Sequence, residues 1–153
     1  ELVSVEEKLF EEMEGVDYNF KGFIDLVIKT KDGTSHIIDW KTCSWGWDTR
    51  RKNDKITTYQ ITLYKHFWCK KHDMDPKSVQ THFALLKRTA KKNTVEFFKV
   101  TSGIKKIENA LKLLNKAVYN IKKESHIKNR LSCYGRYGMC ELYMRSAFKL
   151  WKI

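Results

Sequence analysis

Two short apolar segments of the chain each carry an aspartate where a buried strand is normally apolar. Asp25 lies within residues 21–28, and Asp39 lies within residues 35–42, two positions before Lys41. Side chains two apart in a strand share a face, so Asp39 and Lys41 point in the same direction. A buried carboxylate is retained mainly where it is paired, hydrogen-bonded or bound to a metal. We therefore expect Asp25 and Asp39 to supply oxygen ligands to Mg²⁺, with Lys41 facing whatever the ion holds.

The local pattern predicts that these two segments are the strands of one hairpin. Both apolar runs are too short for helices, and Asp32-Gly33 between them is a turn signal. A simpler interpretation is that both aspartates end their strands at the solvent edge and that Lys41 makes an ordinary salt bridge. The two segments by themselves leave both interpretations open.

Three short motifs follow one another in an order that resembles the core of the PD-(D/E)XK nuclease superfamily. They are Gly22-x-x-Asp25, Asp39-x-Lys41 and Gln60-x-x-x-Tyr64. The third motif makes the chain most similar to the RecB-type exonuclease branch, which includes enzymes of the phage and DNA-repair type. Each motif is short, and their order together carries the resemblance.

The resemblance implies an α/β protein with a restriction-endonuclease-like core, in which helices flank a mixed β-sheet. It implies a deoxyribonuclease dependent on Mg²⁺ or Mn²⁺, with Asp25, Asp39 and the Trp40 carbonyl holding the metal. Gln60 and Tyr64 would orient the catalytic lysine and the scissile strand. The implied substrate is single-stranded or end-containing DNA, digested as by an exonuclease. The alternative, from another class, is a non-catalytic nucleic-acid-binding module with the same fold.

The resembled proteins complete their site with an upstream acid or histidine, and that ligand is not obvious here. No histidine precedes His36. Glu6 is the better local candidate for an additional acid, and Glu7 is the other. The chain begins at Glu1 without a methionine, so a helix that supplies the ligand in a longer native protein is the remaining alternative.

The connection after the second strand, residues 43–55, is rich in aromatic and basic side chains. Tryptophans stack on unpaired bases and cationic side chains follow a phosphate backbone, which is the chemistry of single-strand binding. The alternative is that one tryptophan fills the core and the charges are solvated. The position of this connection directly after the strand that carries Asp39 favours the first interpretation. The predicted nucleic-acid-binding residues are Trp45, Trp47, Arg50, Arg51, Lys52 and Lys55.

Composition favours a polyanionic partner. The 153 residues carry thirty Lys and Arg against eighteen Asp and Glu, a formal net charge of +12, and neutralising phosphates releases counterions. We expect one domain over residues 1–153, with residues 129–153 as its carboxy-terminal extension. There is no signal peptide and no long apolar run, so we expect a soluble intracellular protein, cytoplasmic or nucleoid-associated, without a membrane partner. The sequence leaves the oligomeric state open.

The four cysteines do not predict a metal cluster. Cys43, Cys69, Cys133 and Cys140 form no Cys-x-x-Cys pair. Some nucleases of the resembled branch bind an iron-sulfur cluster through one upstream cysteine and a carboxy-terminal trio, but only two cysteines lie in the corresponding region here. We therefore expect reduced thiols and no cluster.

Periodicity predicts the remaining elements. Residues 2–13 fit either a strand or a short acidic helix, and the turn signal that follows favours a strand. Ser102 is expected to cap the last long helix. The other predicted elements are a helix over 56–70, strands over 78–87 and 94–101, and a helix over 104–121.

Overall fold

A computed structural model describes residues 1–125, 134–135 and 138–139 of the chain. Its main feature is a five-stranded mixed sheet with the strand order β1-β2-β3-β4-β5. Antiparallel pairing joins β1 to β2, β2 to β3 and β4 to β5, whereas β3 and β4 are parallel. The strands are β1 Leu2–Glu12, β2 Asn19–Lys29, β3 Ser35–Cys43, β4 Val79–Lys87 and β5 Val95–Val100.

The helices lie where the periodicity predicts them, with two short additions. The chain forms α1 Thr49–Lys52, α2 Lys55–Lys71, a single 3-10 turn Pro76–Ser78, and α3 Ile104–Lys122. Asp48 caps α1 by accepting a hydrogen bond from the Arg51 N–H at 2.8 Å. The fold class is therefore the predicted one, an α/β core built on a mixed sheet.

The parallel pairing of β3 and β4 explains why α2 lies between them in the sequence. Two parallel strands require a crossover connection, and a helix is its usual form. One face of the sheet and α2 together form the core, because residues fully buried at that interface come from both. They include Leu9, Ile24, Ile37, Ile61, Phe67 and Phe83.

The chain divides into two compact units, residues 1–115 and residues 116–153. Within the second unit, the described residues include the end of α3 and an antiparallel pair of two-residue strands, β6 Tyr134–Gly135 and β7 Gly138–Met139. Most of the predicted extension, and both Cys133 and Cys140, lie outside the described residues. In the described part of the chain, no helix combines the length and apolar character needed to cross a bilayer.

The structure decides two points that the sequence predicted only from local pattern: the type of the first element and the cap of the last long helix. Residues 2–12 form a strand, so the helical alternative for this segment was wrong. The prediction that Ser102 caps α3 was also wrong: its hydroxyl is buried and lies 2.9 Å from the hydroxyl of Thr81 on β4. The Ser102 side chain thus packs against the sheet instead of capping α3, as the local pattern had predicted it would.

Glu7 ties β1 to the carboxyl-terminal end of α2. Its carboxylate accepts hydrogen bonds from Trp68 Nε1 at 3.0 Å and Lys71 Nζ at 2.7 Å, and it contacts His72 Nε2 at 2.7 Å. The Ser4 hydroxyl donates a further bond at 2.6 Å. Partial burial acts to raise the pKa of Glu7, but these contacts outweigh it and lower the pKa to about 2. This carboxylate is therefore committed to holding the strand and the helix together.

Candidate active site

The site begins where β2 and β3 stop pairing. Their ladder covers Leu26–Lys29 and Ser35–Ile38 only, whereas β3 continues to Cys43 with β4 as its neighbour. Burial also loses its strict alternation along β2, because Ile24 and Val27, three apart, are both fully buried. This break leaves a gap between the two strands directly beyond Ile38.

Asp25 bridges that gap with its side chain. Its Oδ2 accepts a hydrogen bond from the backbone N–H of Trp40 at 2.7 Å. The carboxylate thus replaces a missing ladder partner for β3. This bond fixes Asp25 beside the backbone of the Asp39-x-Lys41 motif.

Asp39 is buried and faces Lys41. Only 3% of Asp39 is exposed, and Lys41 Nζ lies 2.7 Å from its Oδ2. Burial raises the pKa of Asp39 and the nearby charge of Asp25 adds to that effect, while Lys41 opposes both. The Lys41 ammonium also lies 5.8 Å from the centre of the Phe83 ring, on the same face of the sheet. The two side chains that the motif spacing placed on one face do share it.

The donor set fits a divalent cation. Although Lys41 contacts Asp39 Oδ2 as an ion pair, that buried oxygen has no partner in hydrogen-bond geometry. A hard cation takes such an oxygen readily, and Mg²⁺ needs only one or two protein carboxylates beside waters and substrate oxygens. In residues 1–125, no group of three or more His, Cys, Asp or Glu side chains converges as a metal site. The fit therefore rests on Asp25, Asp39 and the Trp40 carbonyl.

Glu6 lies on β1 at the position opposite Asp25 on the neighbouring strand β2. The pairs Val5↔Leu26 and Glu7↔Ile24 flank the two residues on their strands. Glu6 is exposed, and its φ of 51° is in the left-handed region that non-glycine residues rarely adopt. Such an outlier typically costs about 1–3 kcal/mol and tends to occur at functional sites. Glu6 remains the local candidate for an additional acid.

The first and third motifs meet through packing. Gln60 Nε2 donates to the Tyr64 hydroxyl at 3.1 Å on α2, and the buried Tyr64 ring lies against β2 at Gly22. A Cβ built on Gly22 would come within 2.7 Å of Tyr64 Cε1. Glycine is therefore needed at this position because it lets the tyrosine ring approach the strand backbone.

We expect Gly22→Ala to displace Tyr64 and to destabilise the protein by about 1–3 kcal/mol, the usual cost of overpacking a core. Urea unfolding would measure the loss. Gly103→Ala is the comparison variant, because no heavy atom lies within 4 Å of the Cβ it would add, and it should lose only the small preference for glycine over alanine at the helix start. Equal stability of the two variants would contradict the assigned contact.

The two tryptophans of the 43–55 connection have different environments. Trp47 is 7% exposed and packs against Phe83 and Phe98, with ring centres 5.4 and 5.8 Å away. Trp45 is 78% exposed. Trp47 thus follows the alternative in which one tryptophan fills the core, and only Trp45 of the pair offers a free ring face.

The basic residues of the connection also divide. Lys52 Nζ forms an ion pair with Glu96 at 2.6 Å and lies 5.3 Å from the Phe98 ring centre, so it braces the connection against β5. Arg51 lies over the Trp47 ring at 4.7 Å. Arg50 and Lys55 are exposed. Of the predicted nucleic-acid-binding residues, Trp47 and Lys52 therefore already have structural roles.

Sequence reasoning missed Arg88, which completes a basic cleft beside the site. The open cleft, of about 770 Å³, is lined by Trp45, Arg50, Arg51 and Arg88 among others. Its two acidic lining residues are occupied as helix caps: Asp48 for α1 and Asp54 for α2. Within the described residues, none of the three arginines has an ion-pair partner. The signal for Arg88 was its position just after β4, since a parallel partner of β3 ends at the same edge of the sheet.

Comparison with known proteins identifies the family. The model of the PD-(D/E)XK nuclease superfamily matches residues 1–142, so the chain belongs to that superfamily. The superfamily is one of nucleases, which generally use divalent metal ions such as Mg²⁺. No curated protein sequence matches the chain.

The fold is similar to that of a solved protein described as the crystal structure of SSO0001. The TM-score is 0.52 at 13% sequence identity, and the match covers 76% of this chain and 50% of the other. The chain therefore spans about half the length of that protein. At this identity, the likeness supports the fold alone.

Proposed function

We propose that this protein is a Mg²⁺- or Mn²⁺-dependent deoxyribonuclease of the RecB type, and that it acts as an exonuclease on single-stranded or end-containing DNA. The observation that carries the proposal is the pair of contacts at the strand gap, Asp25 with the Trp40 N–H and Asp39 with Lys41. Both contacts bring the motif residues to one place, where the Asp39 carboxylate is retained although its burial disfavours the charged form.

Each protein group has a role in the proposed reaction. Asp25 and Asp39 hold the cation together with the Trp40 carbonyl, and a bound cation would supply an activated water and offset the charge on the phosphate. Lys41 would orient the attacking water or stabilise the transition-state charge. Gln60 and Tyr64 would orient Lys41 and the scissile strand from α2.

The adjacent basic cleft suits the proposed substrate. Its exposed Trp45 can stack on an unpaired base, which is sequence-tolerant because every base has a π face. Arg50 and Arg88 carry charge to the same cleft, and its two carboxylates, Asp48 and Asp54, are engaged as helix caps, so the arginines are available to phosphates. An unpaired strand offers both the base and the backbone that these groups bind.

Incubation of the protein with linear and circular DNA, each single- and double-stranded, tests the proposal. We expect Mg²⁺ or Mn²⁺ to drive loss of linear substrates only, and chelator or Lys41→Ala to stop it. Cleavage of circles would make the enzyme an endonuclease. Binding without cleavage under every condition would instead favour the non-catalytic nucleic-acid-binding module.

A further inference from the structure

A second cavity lies at the amino-terminal end of α3, away from the strand gap. Its volume is about 240 Å³, and its lining includes Lys65, Lys77, Lys99 and the start of α3 at Gly103 and Ile104. A water molecule occupies about 30 Å³ of liquid, so this space admits a small anion with several waters. The lining contains no acidic residue.

Lys65 is the unusual member of this lining. It is only 7% exposed, and its Nζ donates to the backbone carbonyl of Ser102 at 3.3 Å, which provides no counter-charge. No carboxylate lies within ion-pair distance of it in the described residues. An ammonium group is rarely buried without a paired charge, and an anion in the cavity beside Lys65 would supply one.

The start of α3 adds donors to the same cavity. Ser102 does not cap the helix, since its hydroxyl bonds with Thr81. The first N–H groups of a helix lack partners within the helix, and its dipole favours negative charge there. A buried cation and an uncapped helix terminus thus face one space.

The surrounding charges agree with this arrangement. Burial lowers the pKa of Lys65, the positive charge of Lys99 lowers it further, and the Cys69 and Asp75 side chains act in the opposite direction. Asp75 is itself engaged, because it accepts the Lys77 N–H at 2.9 Å. An anion placed in the cavity would compensate the two lysines together.

We propose that this cavity is a phosphate-binding pocket, with Lys65 as its buried cation and the amino terminus of α3 as its source of N–H donors. The ligand is a phosphate group, either inorganic phosphate or a phosphate of a nucleic-acid strand. This pocket does not depend on the proposed nuclease reaction.

Phosphate titration of the full chain in chelator tests the pocket without any cleavage. We expect inorganic phosphate to raise the melting midpoint of the protein by a few °C relative to sodium chloride of equal ionic strength. Lys65→Met should remove this shift and should not lower the midpoint in phosphate-free buffer, because it removes an uncompensated charge. Lys112→Met, an exposed lysine on α3, should keep the shift. Persistence of the shift in Lys65→Met would overturn the proposal.

Amide chemical shifts of the wild-type protein provide a test that needs no variant. We expect phosphate to perturb the N–H signals of Gly103, Ile104 and Lys105 first. Perturbation of the Arg88 cleft alone, or of neither region, would overturn the pocket. A second arm uses a single-stranded oligonucleotide: perturbation of the same amides identifies a strand phosphate as the ligand, and their silence identifies inorganic phosphate.

Discussion

Asp39→Asn should abolish metal-dependent DNA cleavage while leaving the protein folded and at least as stable as the wild type. The substitution keeps the size of the side chain but removes the negative charge that holds the cation. We expect the cleavage rate to fall on the order of 10³-fold or more, since the activated water and the charge stabilisation are lost together. Single-turnover cleavage of linear DNA at saturating Mg²⁺ measures this effect.

The stability part of the prediction follows from the burial of Asp39. Its pKa is raised, mainly by burial. The ionised form of the side chain is therefore less favourable in the folded protein than in the unfolded chain. The carboxylate consequently lowers stability once the pH rises above its unfolded pKa, and this cost grows up to the folded pKa. A neutral amide does not carry that cost, so the melting midpoint at neutral pH should be unchanged or higher.

A matched control separates the metal ligand from a general change of charge. Asp54→Asn alters the net charge equally and lies in the neighbouring cleft, and asparagine caps a helix as well as aspartate does. We expect this control to cleave DNA and to be stabilised by Mn²⁺ like the wild type, whereas Asp39→Asn should lose both properties. Wild-type cleavage by the Asp39→Asn protein would contradict the assigned site.

The two tryptophans of the 43–55 connection should give opposite results when each is replaced by alanine. Trp47→Ala empties a space between Phe83 and Phe98, and such a deletion costs about 3–5 kcal/mol. At about 2–4 °C per kcal/mol, the melting midpoint should fall by roughly 6–20 °C. Trp47→Phe should cost much less, because the indole N–H that it removes is buried without a hydrogen-bond partner.

Trp45→Ala should leave stability within about 0.5 kcal/mol of the wild type, as expected for an exposed side chain. We expect its affinity for single-stranded DNA in chelator to fall by about 5- to 150-fold, corresponding to one stacked base at about 1–3 kcal/mol. Fluorescence anisotropy of a labelled oligonucleotide measures the affinity, and thermal unfolding measures the stability. Unchanged affinity for Trp45→Ala would remove this ring from the binding surface.

The sequence alone determined the order of the long helices and of the strands from β2 to β5, and it located the acidic pair on β2 and β3. The alternation of side chains in residues 35–43 and the helical spacing of residues 55–71 are local properties, because each depends only on residues a few positions apart in the sequence. The superfamily, now shown by its family model, was likewise accessible from three ordered motifs. The roles of Asp25, Asp39 and Lys41 remain predictions that the experiments above address.

Only the tertiary structure decided which side chains of similar type are structural. Trp45 and Trp47 are two residues apart and indistinguishable by pattern, yet one is exposed and the other is buried. Glu6 and Glu7 differ in the same way, since Glu7 is held by α2. Burial and pairing of this kind depend on residues distant in sequence: Phe83 packs against Trp47, and Trp68 donates a hydrogen bond to Glu7. The packing of the helix and the strands brings these residues together. For the same reason, the contact of Gly22 with Tyr64 and the buried position of Lys65 became visible only in the folded chain.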